Sequence, residues 1–163
     1  MRAGKNFAGI KLLVLDFDGV MTDNRVLVSE TGGESVFCSR SDGYGISHIA
    51  RQLGIEVAVI SLEANRIVDA RCKKLGIRCF SGVEDKLSLL TKLCAELHIG
   101  LDEACFVGND TTDIPCIKNS GFGVAVADAE APVKRAAAYV TKKKGGQGAV
   151  REVCEMLVAA RAK

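Results

Sequence analysis

Two aspartates flank a phenylalanine at the point where a predicted strand ends. Asp16 and Asp18 follow an apolar run and precede Gly19. Because side chains alternate along a strand, both carboxylates lie on the same side and repel each other. A divalent cation between them removes the repulsion, and Gly19 permits a sharp turn through which a backbone carbonyl joins the coordination. The pair therefore predicts a metal site, with a solvated strand end as the alternative.

Three more places along the chain have polar residues next to strand ends or helix starts. Ser61 follows a second apolar strand, so its hydroxyl can donate a hydrogen bond to an anion. Lys86 opens a helix, where a cation opposes the helix dipole, so a counter-anion explains this lysine better than helix stability does. Asn109 and Asp110 belong to the turn Gly-Asn-Asp-Thr-Thr-Asp, which predicts either a binding turn or a helix N-cap.

The elements that must position these residues alternate along the chain. Apolar runs of strand length are predicted at 10–17, 56–60, 78–80, 104–107, 122–126 and 139–141. Helices are predicted from Asp42 as a cap to Gly54, and at 63–75, 85–97, 113–118, 131–137 and 149–160. This order predicts an α/β fold with a Rossmann-like parallel sheet and helices on both faces. In such sheets, ligands bind outside the carboxyl ends of the strands, where the polar residues fall.

A β-hairpin interrupts the alternation after the first strand. Residues 26–28 and 34–38 flank a Thr-Gly-Gly turn at 31–33. Only 23 residues lie between Asp18 and Asp42, which leaves room for the hairpin and none for an inserted cap domain. The length of 163 residues predicts a single domain spanning 1–163.

The composition argues against several classes of protein. Lys and Arg number 22 against 20 Asp and Glu, and a net charge of +2 is too small for a surface that binds nucleic acid or an anionic membrane. The chain has no apolar run of the ~18 residues that span a bilayer and no recognisable signal sequence, so a cytoplasmic location is expected. The 7 cysteines form an odd set without a Cys-x-x-Cys pair, which predicts reduced core thiols. A small molecule is the expected partner.

Taken in order, these motifs resemble the haloacid dehalogenase superfamily of phosphotransferases. Its four motifs are Asp-x-Asp-Gly, a Ser or Thr, a Lys, and an acidic turn after a Gly, and the chain has a counterpart of each in that order. Without a cap, the chain is most similar to the subfamily that contains 3-deoxy-manno-octulosonate 8-phosphate phosphatases. Phosphatases of nonulosonate 9-phosphates and domains fused to sialic-acid cytidylyltransferases are close relatives of that subfamily.

The resemblance implies a catalytic role for four residues. Asp16 is the expected nucleophile, which forms an aspartyl-phosphate and splits hydrolysis into two displacements. Asp18 is the expected acid and base, protonating the departing sugar oxygen and then taking a proton from water. Ser61 and Lys86 complete the phosphate cradle.

The resemblance also implies a Mg²⁺ cofactor. Its expected ligands are the Asp16 carboxylate, the Asp18 carbonyl and the turn at Asn109 and Asp110. Asn109 stands where the subfamily phosphatases usually carry an aspartate, and Leu62-Glu63 replaces a common Gly-Arg pair. Both departures favour the nonulosonate branch.

Substrate binding is expected at five further positions in runs that look like the subfamily: Asp42, Gly43, Arg71, Gly146 and Arg151. The resemblance implies a homotetramer in which the hairpin, residues 26–38, lies at the interface and a neighbour helps to close each site.

Three functions remain open from the sequence. The first is an active phosphatase acting on a small sugar-acid phosphate. The second is an oligomerisation module with little turnover that partners a sialic-acid cytidylyltransferase. The third is a phosphate-accepting signalling receiver, although a receiver's acceptor Asp lies at the end of a middle strand, where this chain has Ser61.

Overall fold

A parallel sheet of six strands forms the centre of the protein in the computed structural model, which describes residues 7–162. The strands in chain order are β1 Leu12–Leu15, β2 Leu27–Val28, β3 Glu34–Ser35, β4 Glu56–Ile60, β5 Arg78–Phe80, β6 Ala104–Gly108, β7 Phe122–Ala125 and β8 Tyr139–Val140. The sheet has the order β5-β4-β1-β6-β7-β8, and β2 and β3 pair separately as an antiparallel hairpin. The predicted α/β fold is confirmed.

Six α-helices connect or cover the strands. They are α1 Arg40–Tyr44, which continues into a π-helical turn at Gly45–Ala50, then α2 Arg66–Leu75, α3 Lys86–Glu96, α4 Ile114–Asn119, α5 Ala131–Ala136 and α6 Ala149–Arg161. The chain moves from β1 outward to β5 and then returns to the other side of β1 at β6. Since crossovers between parallel strands are right-handed, this reversal places α1 and α2 on one face and α4 and α5 on the other.

The central strand β1 is buried along its whole length, as a strand covered on both faces must be. It pairs with β4 on one side and β6 on the other, so its carboxyl end lies where the strand order reverses. Ligands of open α/β sheets bind at this switch point. The fold thus places Asp16, directly after β1, at the centre of the sheet edge formed by the carboxyl ends of the strands.

The length of β1 and the starts of the first two helices differ from the prediction. Strand β1 is shorter than the predicted 10–17. The first helix starts at Arg40 instead of after Asp42, because the Ser39 side chain accepts the Asp42 N–H and caps the helix. The second helix starts at Arg66, because Asn65 accepts the Ile67 N–H and takes the N-cap position. Both helix starts are set by short polar side chains, which accept N–H groups of the first turn that would otherwise be unpaired.

The hairpin projects from the domain with its side chains exposed. Its paired strands are shorter than predicted, and Gly32 supplies the positive φ of 79° in the turn. An isolated antiparallel bridge between Thr22 and Cys38 joins the two arms at their base. Within residues 7–162, no helix is both long and apolar enough to cross a membrane.

The end of α6 is tied to the start of the chain by one guanidinium group. Arg161 donates hydrogen bonds to the backbone carbonyls of Ala8, Ile10 and Leu53. These carbonyls lie beside the entrances to β1 and β4, at the edge of the sheet opposite the binding edge. The contact therefore fastens α6 without touching the residues that follow β1.

Replacing Arg161 by Met keeps the apolar stem of the side chain and removes these hydrogen bonds. We expect the free energy of unfolding in urea to fall by about 2 kcal/mol, since hydrogen bonds to charged groups contribute about 1.5–3 kcal/mol each and water replaces part of them. Arg25→Met is the matched control, because Arg25 is exposed and pairs only with Asp23 two residues away. Equal stability of the two variants would contradict the anchoring role.

Candidate active site

A lysine buried between two carboxylates lies at the carboxyl end of β1. Lys86 Nζ is 2.8 Å from Asp16 Oδ1 and 2.7 Å from Asp113 Oδ1. The three side chains are 3%, 9% and 0% exposed, respectively. Burial alone would lower the pKa of Lys86, but the two carboxylates outweigh it and raise the pKa. The anionic partners that the position of Lys86 predicts are thus two carboxylates of the protein, Asp16 and Asp113.

Opposing effects act on the pKa of the Asp16 carboxyl group. Burial and the negative charge of Asp113 raise the pKa of Asp16 to about 7, although Lys86 acts in the opposite direction. A single lysine shared between two carboxylates does not fully compensate Asp16. Additional positive charge beside Asp16 would favour its ionised, nucleophilic form.

Asp113 was missed as a site residue by the sequence analysis. Its second oxygen, Oδ2, accepts the backbone N–H groups of Asn109 at 2.9 Å and Asp110 at 3.2 Å. One buried carboxylate therefore shapes the turn after β6 and holds Lys86. The signal was present in the sequence, because Asp113 is the last acid of the turn and begins a helical segment.

A small cleft opens above this cluster, with a volume of about 160 Å³. It is lined by Asp16, Asp18, Asn24, Ser61, Leu62, Glu63, Lys86, Asn109, Asp110 and Thr112. The residues that the sequence predicted as catalytic, two after β1, one after β4 and one at the start of α3, therefore share one concave site. Ser61 is buried in it, and Asp18 is half-buried.

The cleft continues toward the base of the hairpin. A second space of about 270 Å³ shares Asp18, Asn24 and Glu63 with the first and reaches Glu34. Burial raises the pKa of Asp18, the nearby charges of Glu63 and Glu34 add to the effect, and Lys86 opposes it. Asp18 thus stands between a phosphate-sized space and a larger one, where its carboxyl group can meet a leaving group.

Comparisons with known proteins agree with this geometry. The sequence profile of haloacid dehalogenase-like hydrolases matches residues 79–153. The 3-deoxy-D-manno-octulosonate 8-phosphate phosphatase of Escherichia coli is 40% identical over 155 residues, covering 94% of this chain and 82% of its own length. This chain belongs to the haloacid dehalogenase-like hydrolases. The hydrolase is a phosphomonoesterase of the capless subfamily.

Two solved structures are closely similar to the hydrolase. One is the 3-deoxy-D-manno-octulosonate 8-phosphate phosphatase from Moraxella catarrhalis in complex with magnesium ion, phosphate ion and KDO, with TM-score 0.93, 34% identity and coverage of 96% of this chain and 90% of that chain. The other is the cobalt-bound deoxy-D-mannose-octulosonate 8-phosphate phosphatase from Haemophilus influenzae, with TM-score 0.92, 31% identity and coverage of 97% and 92%. Each of these two structures thus contains a metal, magnesium in one and cobalt in the other.

The oxygen atoms of the hydrolase's cleft fit such a metal. Asn109 is buried, and its side-chain Oδ1 is the one buried carboxamide oxygen of the described residues without a hydrogen-bond partner. Gly19 has φ of 81°, and a Cβ there would collide with the Asn109 side chain. No group of three His, Cys, Asp or Glu side chains suited to a metal occurs within residues 7–162. The Asp16 carboxylate and the Asn109 amide, which line the same cleft, offer hard oxygen ligands of the kind that divalent cations such as Mg²⁺ take.

Asp110, the other predicted ligand of the turn, is exposed at the rim of the cleft. Its Oδ1 accepts hydrogen bonds from both the N–H and the hydroxyl of Thr111. It thus caps the short helical turn Thr111–Asp113. The unpaired oxygen of Asn109 is the stronger candidate for the metal.

Five predicted substrate-binding residues of the hydrolase lie outside the two lobes of the cleft. Arg71 donates to the Ser39 carbonyl at 3.1 Å and packs against Gly43. Arg151 pairs with Glu155 and lies over the ring of Tyr44, 4.6 Å from its centroid. Of the remaining two, Asp42 joins α1 to the start of α6, and Gly146 donates its N–H to the Val20 carbonyl in the loop after β1. Their role in binding substrate stays a prediction.

Substituting Asn109 by Asp adds the negative charge that the usual Gly-Asp-Asp turn provides. We expect Mg²⁺ to bind about tenfold more tightly, equivalent to ~1.4 kcal/mol, because ligand charge is a main control of affinity for hard dications. Titrating both proteins with Mg²⁺ by calorimetry and by phosphate release measures the change. Asp110→Asn is the matched control, with an unchanged metal requirement expected; a loss of affinity there would mean that Asp110 supplies the charge.

Proposed function

We propose that the hydrolase removes phosphate from a phosphorylated 3-deoxy-2-keto sugar acid, with 3-deoxy-D-manno-octulosonate 8-phosphate as the first substrate to test. The observation that supports this most is the buried Asp16, held 2.8 Å from Lys86 in a cleft that Ser61 and Asp18 share. The relatives that are 31–40% identical over nearly the whole chain carry the name of this phosphatase.

The first chemical step is attack of an Asp16 carboxylate oxygen on phosphorus. The new bond joins that oxygen to phosphorus while the bond from phosphorus to the sugar oxygen breaks, which yields an aspartyl-phosphate. Lys86 donates to Asp16 Oδ1, which orients the carboxylate. Asp18 gives its proton to the departing sugar oxygen, so the sugar leaves as an alcohol.

The second step releases phosphate. Asp18, now ionised, takes a proton from a water molecule as the water oxygen attacks phosphorus, and the Asp16 carboxylate leaves. The hydroxyl of Ser61 and the ammonium of Lys86 stabilise the phosphoryl oxygens. Mg²⁺ is the cofactor. Asp16, the Asp18 carbonyl and Asn109 would hold it, and it would neutralise the negative charge that otherwise keeps the carboxylate and the phosphate apart.

A nonulosonate 9-phosphate is the second candidate substrate, and one feature of the cleft supports it. Glu63 lines both lobes of the cleft, at a position where the octulosonate phosphatases often carry Arg. A carboxylate there accepts hydrogen bonds from the hydroxyl groups of a sugar.

Phosphate release from a panel of octulosonate and nonulosonate phosphates tests the proposal, with a hexose 6-phosphate, whose sugar has no carboxylate, as the control. We expect kcat/KM to be at least tenfold higher for one of the sugar acids than for the hexose phosphate. Preference for the neutral sugar would overturn the proposed substrate class while leaving the phosphatase assignment intact.

A module of low turnover that accompanies a sialic-acid cytidylyltransferase is the alternative function. The neutral Asn109 supports it, since a weaker metal site slows the chemistry. Uniformly negligible turnover over the panel at saturating Mg²⁺ would favour this alternative. A cytoplasmic location is proposed for either function, and it is consistent with the 7 free cysteines.

Removing the nucleophile provides the most direct test of the mechanism. Asp16→Asn preserves the size of the side chain, and we expect phosphate release to fall to background because an amide cannot form the aspartyl-phosphate. Asp18→Asn should lower kcat by ~10²–10⁴-fold. Stopped assays and circular dichroism on the purified variants measure turnover and folding; wild-type turnover in folded Asp16→Asn would refute the mechanism.

The assembly state is a further part of the proposal. We propose a homotetramer with the hairpin at its centre, because the hairpin presents apolar side chains to solvent. Leu27 is 68% exposed and Phe37 is 73% exposed, and Val26 and Val28 are exposed as well. A concentration of exposed apolar side chains in one element is typical of an interaction site.

A charged substitution in the hairpin tests the assembly. Leu27→Glu should convert a tetramer to smaller species in analytical ultracentrifugation at micromolar concentration, because a charge would be buried without a partner. Val158→Glu, at an exposed apolar position on α6, is the matched control and should leave the mass unchanged. A fully active wild-type monomer would contradict the proposal.

A further inference from the structure

A glycine-rich turn packs against the back of the loop that carries Asp18. The Gly146 N–H donates to the Val20 carbonyl at 2.9 Å. A Cβ on Gly145 would collide with the carbonyl of Gly19, and a Cβ on Gly146 would collide with the backbone at Thr22 and Asp23. Gly146 also has a positive φ of 64°. Backbone thus lies directly on backbone here, so the turn and the loop must move together.

The same turn leads into α6, and the start of α6 is held by a side chain from a distant helix. Asp42 Oδ1 accepts the Arg151 N–H at 2.8 Å, and Asp42 Oδ2 accepts the Gly148 N–H at 3.2 Å. Gly148 occupies the N-cap position of α6 and has no side chain that could cap the helix. Asp42 is only 2% exposed, so water does not replace these bonds.

From these contacts we infer that Asp42 is a positioning residue for Asp18. Its carboxylate fixes the start of α6, α6 fixes the Gly145–Gly146 backbone, and that backbone fixes Gly19 and Val20, which follow Asp18 directly. On the inner side of the loop, Thr22 Oγ1 accepts the N–H of Gly19 at 3.1 Å. The loop is therefore held from two sides, and only the outer support depends on Asp42.

This inference rests on the proposed role of Asp18 as general acid, and it predicts a selective defect. A displaced acid slows the departure of a leaving group that needs a proton and hardly affects one that leaves as a stable anion. Nucleophilic attack by Asp16 is retained, because Asp16 is held separately by Lys86. Loss of Asp42 should thus change the sensitivity of the reaction to the leaving group, which general loosening of the domain would not do.

Phenyl phosphate and p-nitrophenyl phosphate provide the probes, because both present the same group to the cleft and differ in leaving-group acidity. Asp42→Ala removes both hydrogen-bond acceptors, whereas Asp42→Asn retains one. Arg161→Met is the matched control, since it releases the other end of the same helix. Urea unfolding measures the stability of each variant, and kcat and KM are determined for both esters at saturating Mg²⁺.

For Asp42→Ala, we expect kcat/KM for phenyl phosphate to fall about tenfold more than kcat/KM for p-nitrophenyl phosphate, because only the first chemical step contains the leaving group. Asp42→Asn should show a smaller change in the same direction, and Arg161→Met should leave the ratio of the two kcat/KM values within about twofold of wild type. An unchanged ratio in Asp42→Ala, or an equal change in Arg161→Met, would overturn the positioning role.

Asp42→Asn keeps the inference testable if Asp42→Ala fails to fold. It preserves the size of the side chain and one of the two acceptors, so the ratio should still change in the same direction, and an unchanged ratio in this folded variant would overturn the inference. These tests use no sugar substrate. A wrong sugar assignment therefore shows only in the wild-type panel, whereas a wrong positioning assignment shows only in the ester ratio of the variants.

Discussion

The contact of Lys86 with Asp16 and Asp113 is the interaction on which the site depends. It joins the end of β1, the start of α3 and the turn after β6, which come from three separate parts of the chain. Removing one partner of a buried ion pair typically costs about 3–5 kcal/mol, because the remaining charge stays buried. Two carboxylates with one lysine also leave the cluster short of positive charge. The same arrangement thus contributes to the order of the site and to its affinity for a cation.

The position of this cluster follows from the topology of the sheet. Strand β1 lies between β4 and β6, and the chain reverses its direction of progress across the sheet at that point. The helices on either side diverge there, which leaves a crevice beyond the carboxyl end of β1. Residues at three strand or helix ends then converge without any one segment having to supply the whole site. The hairpin continues one wall of the crevice, since Val26, Glu34 and Val36 line its second lobe.

The loop after β1 has to satisfy opposing requirements. It must turn sharply enough to bring Gly19 against Asn109, and it must hold Asp18 half-buried between two lobes of the cleft. Support comes from Thr22 within the loop and from the glycine turn behind it. Larger side chains at Gly145 or Gly146 are excluded by direct backbone contact. This explains why the glycine-rich run, which by sequence position is far from Asp18, belongs to the same structural unit.

The amino-acid sequence by itself determined the class of fold, the order of the elements and the identity of the motif residues, because apolar periodicity and polar strand ends are local properties. Asp16, Asp18, Ser61, Lys86 and Asn109 could all be predicted to share a cleft, since strand ends of a parallel sheet meet at one edge. Two assignments depended on tertiary contacts. Asp113 resembled a helix cap in the sequence, and only folding placed its carboxylate 2.7 Å from a lysine 27 residues away. Asp42 resembled the cap of its own helix, but its carboxylate caps α6, more than 100 residues later in the chain. Local pattern shows that a side chain can accept a hydrogen bond, whereas the donor it meets is decided by the packing of distant segments.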